Sequence, residues 1–273
     1  MRKGNREMKT RKGYKVYPLT AAQKLHFYCL KYCPKKQVLN IGSSLTIESN
    51  LDWDVLRECI KEAIARCDSM RLRFARDRDG NIYQYVVKEE TKEIEHFDFT
   101  GWREEDAQKK LREWTEVPFE RYDSPMHHIV MIKMPDGYQG LYICVDHMTM
   151  DAQSLILFFR DVIELYASRF YDEVEHPKEM SSYIKQLEKD LAYEAGSKAS
   201  QRDREFFESL IASSEPIFAD IYGPEKLRKE RRASRNKKLR AATNTSDNVE
   251  ANITNFHLEG EPSKRLLDFC EEK

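Results

Sequence analysis

Residues 142–152 have the sequence YICVDHMTMDA, and this stretch decides how the chain is interpreted. An apolar strand delivers His147 at its end, and Asp151 follows four residues later, where a helix is expected to begin. An aspartate at that position is typical of an N-cap, because its carboxylate accepts hydrogen bonds from free N–H groups of the first helical turn. A strand that ends on a histidine and leads into a helix indicates an α/β protein. His147 is then either a structural residue or a catalytic one.

The chain on both sides of this stretch contains helices and strands in mixed order. Thr20 and Gln23 form a capping-box pattern at the start of the first helix. The mixed order predicts an α/β sandwich, with parallel and antiparallel pairing left open. Hydrophobic spacing predicts helices over residues 20–32, 52–67, 104–116, 152–171, 178–194 and 201–212, and strands over 38–48, 71–76, 82–87, 126–134, 140–145 and 250–258, with a last helix from Pro262.

Composition limits the class of protein. The chain has 273 residues, 34% of them charged, and a formal net charge of -1. No stretch approaches the ~20 apolar residues that a membrane-spanning helix needs, and the balanced charge does not favour nucleic acid. The basic start of the chain has no apolar core after it, so it is not a secretory signal. The six cysteines form no Cys-x-x-Cys pair, which predicts a cytoplasmic protein with reduced thiols.

Four regions follow from the distribution of charge and small residues. We predict a basic, flexible N-terminus over residues 1–16, a main subdomain over 17–223, a basic and polar linker over 224–250, and the start of a second subdomain over 251–273. The basic run in 226–240 is the pattern of a phosphate-binding surface, but no aromatic residue is interleaved to stack on bases. A solvated linker therefore fits this run better, and docking of an acidic carrier protein stays open.

Three sequence motifs carry a family resemblance. Residues 146–152 resemble the His-His-x-x-x-Asp-Gly motif of condensation domains in nonribosomal peptide synthetases and related acyltransferases. Residues 17–24 (YPLTAAQK) resemble the opening motif of that family, and residues 66–74 (RCDSMRLRF) resemble its Arg-His-Glu-x-Leu-Arg-Thr-x-Phe motif. The resemblance implies a two-layer α/β sandwich like one half of a condensation domain, with the fold of chloramphenicol acetyltransferase.

The resemblance also implies roles for individual residues. His147 occupies the second histidine of the motif, which contacts the attacking amine as a general base or as a positioning group. Asp151 is expected to brace the loop through an ion pair with Arg71. The motif arginine Arg66 is expected to support the site as well. The adjacent pair His127-His128 has no acidic residue four places later, and both are expected to be structural.

Motif positions differ from the family in three places, one of which is Cys67-Asp68 where the second motif has His-Glu. Asp146 stands where the first histidine is expected, and its side chain should point away from His147 because neighbouring strand residues face opposite sides. It is expected to support the fold rather than relay a proton. Ala152 stands where the family has glycine, at a position expected to line the substrate.

The function implied by the resemblance is formation of an amide bond. A carrier protein would present an acyl or aminoacyl thioester on its phosphopantetheine arm, and an amine would be the acceptor. No metal and no directly bound cofactor are expected. Family members have two similar halves, so the missing C-terminal half is expected in cis or in trans. Two alternatives stay open, namely an inactive module that binds a carrier or partner protein, and an O-acyltransferase that forms an ester.

Overall fold

The computed structural model describes residues 10–11, 13–213 and 257–271. The strands are β1 Thr10–Arg11, β2 Tyr14–Lys15, β3 Tyr17–Pro18, β4 Asn40–Ile47, β5 Leu72–Arg76, β6 Ile82–Val86, β7 Glu95–Asp98, β8 His127–Lys133 and β9 Gln139–Asp146. The helices are α1 Ala21–Tyr32, α2 Trp53–Arg66, α3 Glu104–Thr115, α4 Ala152–Ala167, α5 Tyr183–Glu194, α6 Lys198–Ala212 and α7 Glu261–Glu271. Two 3₁₀ turns, Lys36–Leu39 and Asp68–Arg71, precede β4 and β5.

The central sheet has the strand order β4-β9-β8-β7. β9 pairs antiparallel with both β4 and β8, whereas β7 and β8 are parallel, so the pairing left open by the sequence is mixed. All eight residues of β9 are buried. A strand that has another strand on each side and packed residues on both faces exposes no side chain to solvent. The sequence of β9 is therefore a nearly continuous apolar run. Its last residue, Asp146, lies opposite Asn40 at the start of β4.

Both faces of the central sheet carry a hydrophobic core. Alternate residues of β8 and β9 pack against α2 and α4 on one face and against α3 on the other. The apolar positions of α2 repeat at helical spacing, and the structure buries them as the spacing predicts: Leu56, Cys59, Ile60, Ala63 and Ile64. The predicted α/β sandwich is thereby confirmed.

A second, three-stranded sheet with the order β3-β6-β5 lies beside α1. The core between them includes Leu19, Leu30 and Phe74, and it also takes in Met148 from the segment after β9. The hairpin between β5 and β6 turns at residues 77–81, where the Asp77 carboxylate accepts from the backbone N–H groups of Asp79 and Asn81. The Asp-Gly-Asn composition of this segment is typical of such a turn.

The ends of several elements differ from the sequence predictions. α4 ends at Ala167 rather than near residue 171, and α5 begins at Tyr183 rather than near residue 178. Residues 13–16, assigned from sequence to the flexible N-terminus, contain β2 and the buried Val16. The helix predicted from Pro262 is present as α7. The predicted linker and nearly all of the strand predicted over 250–258 lie outside the described residues.

Two further predictions from sequence concern membrane-spanning helices and the state of the cysteines. None of the helices within the described ranges is long and apolar enough to cross a membrane. The six cysteines all lie within those ranges, and none of them forms a disulfide bond. Burial raises the pKa of the Cys144 thiol to about 11, so this side chain behaves as a packed apolar group rather than a nucleophile.

Candidate functional site

His147 is the first residue after β9, where the chain leaves the central sheet. Its backbone N–H donates to the Leu39 carbonyl oxygen at 2.9 Å, which ties the end of β9 to the turn that precedes β4. Nδ1 of its ring is buried and has no hydrogen-bond partner in the described part of the chain. Nδ1 is thus the ring nitrogen that is closed off from solvent.

Asp146 is fully buried and is held by a cation. Arg121 Nη1 donates to Asp146 Oδ2 at 2.7 Å, and the Met148 backbone N–H donates to Oδ1 at 2.9 Å. The Asp146 backbone carbonyl accepts from the Thr149 backbone N–H at 2.9 Å and from its hydroxyl at 2.8 Å. Asp146 thus fixes a tight turn immediately after the strand. Its carboxylate contacts Arg121 while the His147 ring contacts α1, which agrees with the expected divergence of the two side chains.

The predicted ion pair between Asp151 and Arg71 is wrong. Asp151 caps α4, since its carboxylate accepts from the Ser154 backbone N–H at 2.8 Å and from the Ser154 hydroxyl at 2.7 Å. These hydrogen bonds from Ser154 lower the pKa of the Asp151 carboxyl. Arg71 pairs instead with Asp68 at 2.9 Å and donates to the Val87 carbonyl at 2.8 Å. Asp151 and Arg71 therefore have different, local partners, and Arg71 Nε is buried without a hydrogen-bond partner in the described part of the chain.

Arg66, predicted to support the site, connects α2 with α4. Its guanidinium donates to both carboxylate oxygens of Asp161, at 3.0 and 3.1 Å, and this pair is largely buried. It also donates to the carbonyls of Pro177 and Lys178. Arg66 therefore joins the end of α2 to the middle of α4, whose first turn follows the His147 segment. Ala152 is the first residue of α4 and is exposed, so the prediction that it lines the substrate rests on its position alone.

Gln23 takes part in a buried hydrogen-bond network in addition to capping α1, and the sequence did not indicate this second structural role. Its amide completes the predicted capping box with Thr20. The same amide donates to the Met148 carbonyl at 3.1 Å and to Gln84 Oε1 at 2.9 Å, while Tyr183 also donates to Gln84. This buried polar network connects α1, β6, α5 and the segment after β9. A glutamine inside the apolar strand β6 was the signal that could have revealed it.

His26 is a further residue that sequence reasoning missed. Its ring centroid lies 4.5 Å from that of His147, with the ring planes tilted by 41°. Burial is the main cause of a lowered His26 pKa, and repulsion from His147 adds to it. His26 lies three residues after Gln23 and four before the buried Leu30, on the face of α1 that packs inward. That spacing was the available signal.

The adjacent histidines of β8 lie apart from His147. His127 is buried with its Nε2 3.8 Å from Glu90, and burial lowers its pKa to about 4. His128 Nε2 lies 3.1 Å from Glu95 on the α3 face of the sheet. These contacts fit the structural role expected of both. Across the described ranges, no group of three or more histidine, cysteine, aspartate or glutamate residues could hold a metal ion.

Comparison with known proteins gives the family. The condensation-domain family model matches residues 14–262, and the chain belongs to that family. Surfactin synthase subunit 1 of Bacillus subtilis is 26% identical over 266 residues, which span 93% of this chain and 7% of that protein. Surfactin synthase subunit 2 of the same organism is 24% identical over 164 residues, which span 60% of this chain and 4% of that protein.

Solved structures give the same fold. The starter condensation domain of the rhizomide synthetase RzmA has a TM-score of 0.63 at 22% identity, with 74% of this chain and 49% of that chain covered. The first condensation domain of the calcium-dependent antibiotic synthetase, in complex with a substrate analogue, has a TM-score of 0.61 at 24% identity. The match covers 74% of this chain and 48% of that one. The chain thus spans about half the length of these solved condensation domains.

Proposed function

We propose that this chain supplies the histidine-bearing half of an amide-forming condensation site. The observation that carries the proposal is the placement of His147. It follows the central strand directly, its backbone and Nδ1 are held inside the fold, and Nε2 is left for a substrate. Its position matches the second histidine of the family motif.

The reaction joins an amine to a thioester carbonyl. The amine nitrogen attacks the carbonyl carbon of an acyl or aminoacyl thioester, the C–N bond forms, and the C–S bond breaks. The proton lost by the amine moves to His147 Nε2 and from there to the departing thiolate. An imidazole suits this role because one ring nitrogen can both accept a proton and donate it again.

The partner is an acyl or peptidyl carrier protein that presents the thioester on phosphopantetheine. No directly bound cofactor and no metal enter the reaction. Most of the rate enhancement comes from holding two tethered reactants together, for which well-oriented model reactions give up to ~7–11 kcal/mol. His147 adds a further ~10²–10⁴-fold. Cysteines that form no disulfide bond fit a reducing, cytoplasmic location.

A second half-domain completes the site, either in cis or in trans. In this organisation residues 17–223 form the first lobe, 224–250 the linker and 251–273 the start of the second lobe. The large side chains of α6 support a covering partner, because Phe206, Phe207 and Ile211 are 61%, 57% and 67% exposed. Contiguous exposed apolar residues of this kind are typical of an interaction surface.

A condensation assay tests the proposal. The chain is incubated with a loaded carrier protein and an amine, and the product is quantified by mass spectrometry, with the second half added in trans. His147→Ala should lower turnover by about 10²–10⁴-fold. His176→Ala is the matched control, because His176 is exposed and pairs with Glu62 outside the site. Circular dichroism checks that both variants are folded.

Three outcomes would overturn the proposal. Unchanged turnover in His147→Ala would remove the role of the histidine. Binding of the loaded carrier without any product from the unmutated chain would make this an inactive binding module. A product cleaved by mild base would be an ester, which would replace amide formation by O-acyl transfer.

A further inference from the structure

We propose that His26 is a positioning residue for His147, so that the site contains two imidazoles, one from α1 and one from the segment after β9. The family motif places its two histidines next to each other in sequence, and here Asp146 occupies the first place. The second imidazole beside His147 is supplied from 121 positions earlier in the chain. The inference rests on the proposed condensation function.

The position of His26 is fixed by α1. One helical turn before it, Gln23 is buried and donates to the Met148 carbonyl. One turn after it, Leu30 is buried in the core that also contains Met148. The face of α1 that carries His26 is therefore attached to the residue immediately after His147. A ring at this position contacts His147 without any rearrangement of the helix.

Two contacts join His26 to His147. The ring centroids are 4.5 Å apart, and the tilt of 41° brings one ring against the face of the other. The His147 backbone also interacts favourably with the charged form of the His26 ring, which partly offsets the effect of burial on the His26 pKa. The His147 backbone N–H is bound to the Leu39 carbonyl, whereas the His147 ring packs against the His26 ring. The backbone and the side chain of His147 are therefore held by different neighbours. His26 thus restricts both the side-chain rotation of His147 and the peptide that carries it.

The contact also acts on the charge of the pair. Two imidazolium ions this close repel each other, so protonation of one ring disfavours protonation of the other. Asp146 acts in the opposite direction on His26, but its carboxylate is already paired with Arg121. Asp151 interacts electrostatically with His147 from the start of α4. The net pKa of His26 is lowered, which keeps a neutral ring next to the reacting one.

Two substitutions separate the contributions of His26. His26→Gln keeps an N–H donor for the His147 backbone but removes the titrating ring. His26→Leu has a similar volume and removes both. His176→Gln is the control, since it removes an exposed histidine from a different part of the surface. Urea unfolding of each variant shows whether the fold is retained.

Kinetics with loaded carrier and amine give the first readout. We expect His26→Leu to lower kcat by about 10–100-fold with little change in KM, because small misplacements of a reacting group cost up to ~10²-fold. His26→Gln should recover most of kcat. Wild-type kcat in His26→Leu would overturn the proposal, and so would a kcat in His26→Gln as low as that in His26→Leu.

Histidine ring resonances in NMR titrations give a second readout that needs no turnover. His147→Ala should raise the pKa of His26, because repulsion is removed while burial remains. An unchanged His26 titration would show that the two rings do not interact and would overturn the inference. If the unmutated chain makes no product but the His26 titration shifts, the proposed function fails while the two-imidazole site stands.

Discussion

Asp146 and Arg121 show how a single departure from a family motif is accommodated. A buried carboxylate without a partner is costly, and replacement of the motif histidine by aspartate creates that risk. Arg121 removes it by donating to Asp146 at 2.7 Å. The same carboxylate accepts from the Met148 backbone N–H, so the charge is also used to shape the turn that presents His147. The substitution therefore supports the local fold instead of disturbing it.

The first prediction concerns this pair. Arg121→Ala should lower the free energy of unfolding by about 3–5 kcal/mol, because it leaves the Asp146 carboxylate buried without its cation. The measurement is equilibrium unfolding in urea. Arg57→Ala is the matched control. Its partner Asp54 is 93% exposed, and an exposed pair contributes only about 0–1 kcal/mol.

The double variant Arg121→Met with Asp146→Asn gives an internal check. It removes both charges, so it should be more stable than Arg121→Ala. If Arg121→Ala lowers the free energy of unfolding by no more than Arg57→Ala does, the ion pair between Arg121 and Asp146 does not stabilise the turn after β9.

The site could be predicted from sequence only where the contacts are local. The capping box of Thr20 and Gln23 and the N-cap of Asp151 involve residues three positions apart, and both are present. The Arg71 prediction failed because Asp68, three residues earlier, is a nearer partner than a motif aspartate 80 positions away. Arg121 reaches Asp146 across 25 positions from a segment without periodicity. No spacing rule identifies such a partner.

The central strands are held together by a close backbone approach. Gly140 in β9 lies opposite Thr46 in β4, and a Cβ at Gly140 would overlap the Leu45 carbonyl. Gly42 also has no room for a Cβ, but the atoms it would meet belong to the Thr115 side chain. An alanine at position 140 would therefore have to displace backbone atoms of β4, whereas an alanine at position 42 would have to displace only the Thr115 side chain.

The second prediction follows from that difference. Gly140→Ala should destabilise the protein by about 1–3 kcal/mol or more, since overpacking against backbone cannot be relieved by a rotamer change. Gly42→Ala should cost less, and Thr115→Ala in the same chain should recover part of the loss. Urea unfolding of the three variants measures the order. Equal losses for the two glycine variants would contradict it.

Elements were predictable where hydrophobic spacing is regular. α2 and β9 carry clear helical and continuous apolar patterns, and both lie close to where the sequence places them. The parallel pairing of β7 with β8 was not predictable, because strand direction depends on the connection between strands rather than on their residues. The end of α4 was misplaced because Phe170 and Tyr171 continue its apolar pattern. The start of α5 was misplaced because Ser182, rather than a residue near 178, is its N-cap.

At the scale of the whole molecule, a buried charged cluster joins the two sheets. Arg73 from β5 pairs with Glu90, whose carboxylate lies 3.8 Å from His127 in β8. Lys92 donates to the His127 carbonyl at 2.9 Å. Burial and the neighbouring cations disfavour a charge on His127, and its pKa is lowered to about 4. Folding therefore requires a neutral His127.

The third prediction is a loss of stability in mild acid. In the unfolded chain His127 takes up a proton near its ordinary pKa of ~6.5, whereas in the folded protein it does so only near pH 4. The unfolded state thus binds more protons between these values, and the free energy of unfolding falls as pH drops from 6.5 to 4. The loss is at most about 3 kcal/mol.

Urea unfolding between pH 7 and pH 5 measures this dependence. His127→Leu removes the titrating group and should flatten the slope over that interval, where Glu90 remains ionised. His176→Leu should leave the slope unchanged, because His176 is about half exposed. A slope in His127→Leu equal to that of the unmutated protein would assign the pH dependence to other groups.

The pairing of β4 with β9 has a consequence for how the chain is synthesised. Asn40 lies opposite Asp146, so about 100 residues separate the two partners. At typical elongation rates of ~5–20 residues per second, β4 leaves the ribosome roughly 5–20 s before β9 does. During that interval the strand lacks the neighbour that will cover its backbone, and unpaired strand edges favour aggregation. Chaperone demand in the cell should therefore depend on the translation speed of residues 48–138.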